Sequence, residues 1–147
     1  MRGNTLRDCL VAFGQETGLP IDPDADVFGI EIEGTGQVDV AVAPDGHGLL
    51  LRAGLVRALP DDPLLLRALE ANARPADLGG AALGYDAEEA SIVLSRIVPA
   101  AQCAADGLPV VLAGFAAAMS AASGLLQQVR APDRELPPGG DLVWLKS

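Results

Sequence analysis

Histidine, cysteine, aromatic residues and positive charge are all scarce in this 147-residue chain. The single histidine, His47, lies between two glycines and reads as a turn residue. With no Cys or His near it in sequence, it completes no recognisable triad or zinc set. Cys9 and Cys103 are far apart and form no CxxC pair, so they read as two small core residues in a reducing compartment. Aromatic residues make up 3% of the chain, and Tyr85 and Trp144 are too isolated to stack successive bases. Ten Lys and Arg stand against twenty Asp and Glu, a formal net charge of −10. Phosphate backbones repel such a chain, which excludes nucleic acid as a partner, whereas basic or polar extended polypeptides are attracted. Apolar runs are broken by Arg, Asp or Pro before the ~20 residues that a bilayer span needs, and Val110 to Ala122 is too short. No membrane partner is therefore expected. Met1 to Cys9 lacks the apolar centre of a signal peptide, so a cytoplasmic location is expected.

Apolar side chains, by contrast, are plentiful: 50% of the residues are hydrophobic, in a chain long enough for one domain and too short for two. Leu6, Cys9, Leu10 and Phe13 have the i, i+3, i+4, i+7 spacing of a helix, which Gly18 and Pro20 end. From Phe28 the period becomes two. Phe28, Ile30 and Ile32 alternate with Gly29, Glu31 and Glu33, and after Gly34-Thr35-Gly36 the residues Val38, Val40 and Val42 repeat the alternation. Pro44-Asp45-Gly46 turns the chain into a third strand, Leu49 to Ala53. Asp62-Pro63 predicts a helix start, and Pro75 with Gly79-Gly80 a stop. Two more strands are expected at Ala81 to Tyr85 and Ser91 to Ile97, joined by the acidic loop Asp86 to Glu89. Pro99 to Gly107 reads as a linker. A last helix from about Pro109 to Arg130 carries Leu112, Phe115, Met119, Ala122, Leu126 and Val129 on one stripe. The expected class is α+β: α-βββ-α-ββ-α, a twisted antiparallel sheet packed with helices, in one domain over 1–130. A Pro/Gly-rich tail, 131–147, ends in Leu142-Val143-Trp144-Leu145 and is open to three readings: disorder, a clasp between subunits or a partner contact.

The stretch Leu65-Leu66-Arg67-Ala68-Leu69-Glu70-Ala71-Asn72, followed by Gly79-Gly80-Ala81-Ala82-Leu83-Gly84-Tyr85-Asp86, resembles the Tir chaperone family of class I type III secretion chaperones. The likeness is to that family's second helix ending in Leu-x-x-Asn and its Gly-rich entry into the fourth strand. Ile92-Val93-Leu94-Ser95-Arg96 matches the fifth strand and Leu112 to Phe115 the last helix. The likeness runs from Leu6 to Val129. Where relatives often carry a Trp in the last helix, this chain has Ala122-Ser123, and the tail with Trp144 is no family hallmark. The resemblance implies a homodimer without ATPase activity that holds the N-terminal segment of a secreted effector in extended form. It also implies handover of that cargo to the secretion machinery, with the secretion ATPase as a further candidate partner.

The residues themselves add two hints. Leu64, Leu65 and Leu66 point in directions ~100° apart, and one small sheet covers only one of them. A second subunit would cover the others, so Leu65, Leu66 and Leu69, with Leu83 and Val93, are the candidate dimer contacts; full burial of the helix inside one chain is the competing reading. Cargo capture calls for apolar surface beside a sheet edge. Leu6, Leu10 and Phe13 with Ile30, Ile32 and Val40 are the candidate effector contacts, and the same six residues are what a core needs.

No catalytic, cofactor or metal set emerges. Asp22-Pro23-Asp24-Ala25-Asp26 imitates a calcium loop, but Val27 stands where an EF-hand requires Gly. Glu31 and Glu33 fall on the wet face of a strand, not in the dry pocket that a raised carboxyl pKa needs. Gly34-Thr35-Gly36 and Gly79-Gly80 lack the Lys of a phosphate loop. A regulatory or adaptor protein on the same fold, binding a non-secreted partner, is the alternative function, and a small enzyme is a remote third.

Overall fold

The computed structural model describes residues 2–21, 27–43 and 46–130, with side chains from Leu6 to Gln127 among them. The imitation calcium loop at 22–26, the turn residues 44–45, the side chain of Val129 and the tail lie outside the described residues. The order of elements is α1 (Arg2–Thr17), β1 (Val27–Ile32), β2 (Gly36–Val42), β3 (Gly48–Arg57), α2 (Leu64–Asn72), β4 (Ala82–Asp86), β5 (Ser91–Pro99), α3 (Ala100–Asp106) and α4 (Leu108–Arg130), with a 3-10 turn at Pro75–Leu78. The five strands form one antiparallel sheet in the order β1-β2-β3-β5-β4. The expected α-βββ-α-ββ-α order is present, with two short helical pieces added.

Local chemistry explains the boundaries. Gly18 takes φ +76° and donates its N–H to the Gly14 carbonyl at 2.9 Å, a left-handed end to α1 that a Cβ would strain. The Asp62 carboxylate accepts the Leu64 N–H at 2.9 Å, so the acidic start of α2 acts through its side chain. At the β4–β5 turn, Oδ1 of Asp86 accepts the N–H groups of Glu88 (2.9 Å) and Glu89 (3.2 Å). Gly48 lies so close to β5 that a Cβ there would meet the Val98 carbonyl at 2.5 Å. The segment read as a linker, Pro99 to Gly107, is a strand end followed by α3. Its only buried side chain is Cys103, so it shows no stripe by which a helix could be recognised.

One face of the sheet carries the core. Ile30, Val38, Val40, Leu49, Leu51, Ala53, Leu83, Ile92, Leu94 and Val98 all point to it, as their cross-strand register requires. Against them α4 lays Leu108, Val111, Leu112, Phe115, Ala118, Met119, Ala122 and Leu126, and α1 lays Leu6, Leu10 and Phe13. Five residues of the stripe expected on the last helix are thus buried. By length and composition Leu108–Gln127 would suffice to cross a membrane. That is a longer apolar stretch than the broken runs suggested, and here its large side chains are spent on the sheet.

Asn72, the last residue of α2, bonds β4 as a neighbouring strand would. Its Nδ2 donates to the Leu83 carbonyl at 2.7 Å and its Oδ1 accepts the Leu83 N–H at 2.8 Å. The side-chain amide thereby satisfies both backbone groups of Leu83 on the sheet's outer edge. Replacing Asn72 by Ala leaves both half-buried groups unpaired, and chemical denaturation is expected to show a loss of about 1–3 kcal/mol.

Candidate functional site

A sheet covered by helices on one side leaves an open face and two edges, and the two edges are treated differently. The β4 edge is met at Leu83 by Asn72 and flanked by α2. Among the described residues the β1 edge has no neighbouring strand. Along β1 the side chains of Phe28 and Ile32 are half-buried between edge and core, Ile30 is buried, and Val27 and Glu31 are exposed. Glu33 lies in the following turn, outside the strand, and is also exposed.

Of the six residues expected to contact an effector, Leu6, Leu10, Phe13, Ile30 and Val40 are each no more than 6% exposed. They pack against one another and the rest of the core, because Ile30 of β1 and Val38 and Val40 of β2 join the cluster made with α1 and α4, whereas Val42, on the same alternation of β2, is 41% exposed. Only Ile32 keeps open surface, as it ends the edge strand beside the turn. The open face of the sheet, which the sequence reading did not consider, has an apolar row of its own. Val27, Ala41, Leu50 and Ile97 are successive register partners across β1, β2, β3 and β5. Val27 is 55% and Ile97 59% exposed. Period-two alternation hides such a row, since its members stand in four different segments.

The residues expected at a subunit contact divide as well. Leu64 faces the core, Leu65 is half-buried, and Leu66 and Leu69 are 61% and 65% exposed. The three successive leucines do point three ways. Beside them, Leu65, Leu69, Leu83 and Tyr85 line a nearly apolar hollow of about 220 Å³ between α2 and β4. Tyr85 spends its hydroxyl on the Ala58 carbonyl at 2.8 Å. Leu83 faces the core, whereas Val93 lies on the opposite sheet face between Gly54 and Gly84. There the Arg52–Asp86 ion pair, joined more loosely by Glu89, spans the sheet diagonally past Val93. That clasp accounts for the burial of Val93 on a face without helices, and it places Val93 away from the α2 hollow.

The remaining polar chemistry is sparse. Cys9 and Cys103 are free thiols lining a cavity of about 380 Å³ between α1, α3 and the start of α4. Burial, and then the nearby Cys9, pushes Cys103 up to about 11; burial and then Asp8 also raise Cys9. Both stay protonated and poorly nucleophilic near neutral pH. His47 is exposed in the bend before β3. Among the described residues no three His, Cys, Asp or Glu side chains converge to hold a metal ion.

A model of the Tir chaperone protein (CesT) family matches residues 8–123. Among solved structures, the chain is similar to one in the ExsC–ExsE complex, with a TM-score of 0.60 and 20% identity, covering 94% of this chain and 98% of that one. It is similar to a chain of the heterodimeric ExoU–SpcU complex from the type III secretion system of Pseudomonas aeruginosa, with a TM-score of 0.58, 15% identity and coverage of 87% and 99%. A chain of the HopA1–SchA chaperone–effector complex aligns with a TM-score of 0.59, 20% identity and coverage of 85% and 95%. Identities this low show a shared fold. No curated protein gives a significant sequence match. With most of its length matched, from the end of the first turns of α1 to the last third of α4, the chain belongs to the Tir chaperone protein (CesT) family.

Proposed function

We propose that this protein is a non-catalytic type III secretion chaperone. As a cytoplasmic homodimer, it binds the N-terminal segment of a secreted effector, keeps it soluble and secretion-competent, and hands it to the secretion machinery, with the ATPase as the receiving partner. The observation that carries the reading is the unequal treatment of the two sheet edges. Asn72 occupies the β4 edge at Leu83, so an added strand is disfavoured there. The α2 face beside it offers Leu66 and Leu69, and burying each such side chain is worth ~1.5–3 kcal/mol. A second copy presenting the same face supplies that cover by two-fold symmetry. The β1 edge stays open to an extended cargo segment, whose backbone hydrogen bonds read no side chain and so tolerate varied sequence. The half-buried Phe28 and Ile32 and the exposed Val27 give that segment apolar contacts on both faces. The buried Leu6, Leu10, Phe13, Ile30 and Val40 then serve the groove as its floor.

Two experiments test the two halves. The double change Leu66→Asp, Leu69→Asp is expected to halve the particle mass in size-exclusion light scattering; a wild-type mass in the variant removes α2 from the interface. Cargo is first identified by mass spectrometry of polypeptides that co-purify from the native cell. Val27→Asp and Ile32→Asp, on opposite faces of the edge strand, are each expected to lower its recovery about tenfold or more, a loss of at least ~1.4 kcal/mol. The thermal midpoint of Val27→Asp should stay near wild type, since that side chain is already in water. Full recovery in both variants contradicts the β1 edge, and a co-purified partner without a secretion signal favours the adaptor reading.

A further inference from the structure

The pairing of β2 with β3 is incomplete. It runs from Asp39/Arg52 to Val42/Leu49, although β2 begins at Gly36 and β3 continues to Arg57. The tip of the β1–β2 hairpin therefore parts from β3. The side of Ala53–Arg57 that faces β2 has no ladder partner among the described residues, and a bulge at Gly54/Val56 bends the strand there. The parting opens a cleft of about 370 Å³ walled by Gly34 and Thr35 of the turn, Gly54 of β3, and Ser120, Ser123 and Gly124 of α4. The space is real: a Cβ on Gly54 or Gly124 would meet no atom within 4 Å. The cleft runs into a smaller recess of about 130 Å³ lined by Leu55, Val56, Leu64 and Leu126.

One segment of this chain begins beside that cleft. Leu126 and Gln127, in the last turns of α4, form part of its wall, and residues 131–147 follow directly after Arg130. That segment holds Pro137-Pro138-Gly139-Gly140 and then Leu142-Val143-Trp144-Leu145, four large apolar residues, two of which, Val143 and Trp144, are of types that favour strands. The complementarity has two parts. The glycines and hydroxyls of the wall, beside Leu55, Met119 and Gln127, admit a peptide backbone closely and offer it hydrogen bonds, and the leucine recess takes one large side chain. We infer that Leu142–Leu145 docks in cis in this cleft, along the free side of β3, with Trp144 in the recess beside Leu55, Leu64 and Leu126. Residues 131–141 are eleven residues, whose greatest possible reach of about 36 Å is enough to turn back over the end of α4. At an effective concentration of about 1 mM, an intrinsic Kd near 0.1 mM keeps the cleft about 90% filled. Neither the β1 edge nor the exposed α2 leucines, Leu66 and Leu69, take part in this docking.

Trp144 is the only tryptophan, so its fluorescence in the full chain reads the docking directly. Docking predicts emission blue-shifted from free tryptophan and protected from acrylamide. It also predicts that Ser123→Glu, which places a charge in the cleft, restores solvent-like emission and several-fold stronger quenching while the circular dichroism is unchanged. Ser120→Glu, at an exposed position on the same wall, is the second variant should Ser123→Glu unfold. The inference is overturned by solvent-like emission in the unaltered chain. It is equally overturned by shifted emission that a folded cleft variant leaves in place. A blue shift that disappears on dilution also overturns it, since the segment then sits on a second copy.

Discussion

Phe115 is wholly buried in the core that α4 forms with the central strands β3 and β5, and the rest of the molecule is arranged around that packing. The β3–β5 ladder runs almost the full length of both strands, from Gly48/Pro99 to Arg57/Ser91. With Leu94, Leu51 and Met119 it forms the rigid middle onto which α1, α2 and the β1–β2 hairpin are added. Because most of the large apolar side chains of α4 face this one layer, its other side is left with Pro109, Val110, Gln127 and small residues. The consequence is a sheet with helices on a single face. An open face and two strand edges are then unavoidable features of the surface.

Each of those liabilities is met by a different device. The β4 edge is occupied at Leu83 by a side-chain amide that imitates a peptide group. On the open face, Arg52 reaches Asp86 over Val93, so a charged pair covers an apolar residue where no helix does. Asp86 serves twice, holding the β4–β5 turn with one oxygen and Arg52 with the other. Among the described residues the β1 edge and the row from Val27 to Ile97 have no such cover. On the proposed reading this asymmetry has a physical use: the protected edge fixes where the fold ends, and the unprotected one offers an extended partner unpaired backbone and apolar contact together.

The parting of β2 from β3 is of the same kind but internal to the sheet. A continuous ladder there would have closed the space beside Gly54 and Gly124. The bulge in β3 and the glycine turn at the hairpin tip keep it open next to the end of α4. Under the proposed docking, modest affinity suffices there because the segment and the cleft are covalently joined.

The sequence by itself determined the order of the main elements, the buried alternates Ile30, Val38 and Val40 of β1 and β2, the buried stripe of α4 and the splayed directions of Leu64, Leu65 and Leu66. All of these follow from periodicities of two and 3.6 within one segment. Val42, on the same alternation, is 41% exposed. The Leu-x-x-Asn ending of α2 was visible as a resemblance, but its role was not, because Asn72 meets Leu83 only after β4 has folded back beside the helix. The α3 helix escaped notice for lack of an apolar stripe. Which apolar residues remain at the surface was decided by tertiary structure alone. Leu6, Leu10, Phe13, Ile30 and Val40 vanish into the core, and Val93 lies under an ion pair on the far face. Meanwhile Val27 and Ile97, seventy residues apart in the chain, come to share one row. Periodicity tells which side chains want to be dry; only the packing of one layer against another determines how many of them one chain can cover.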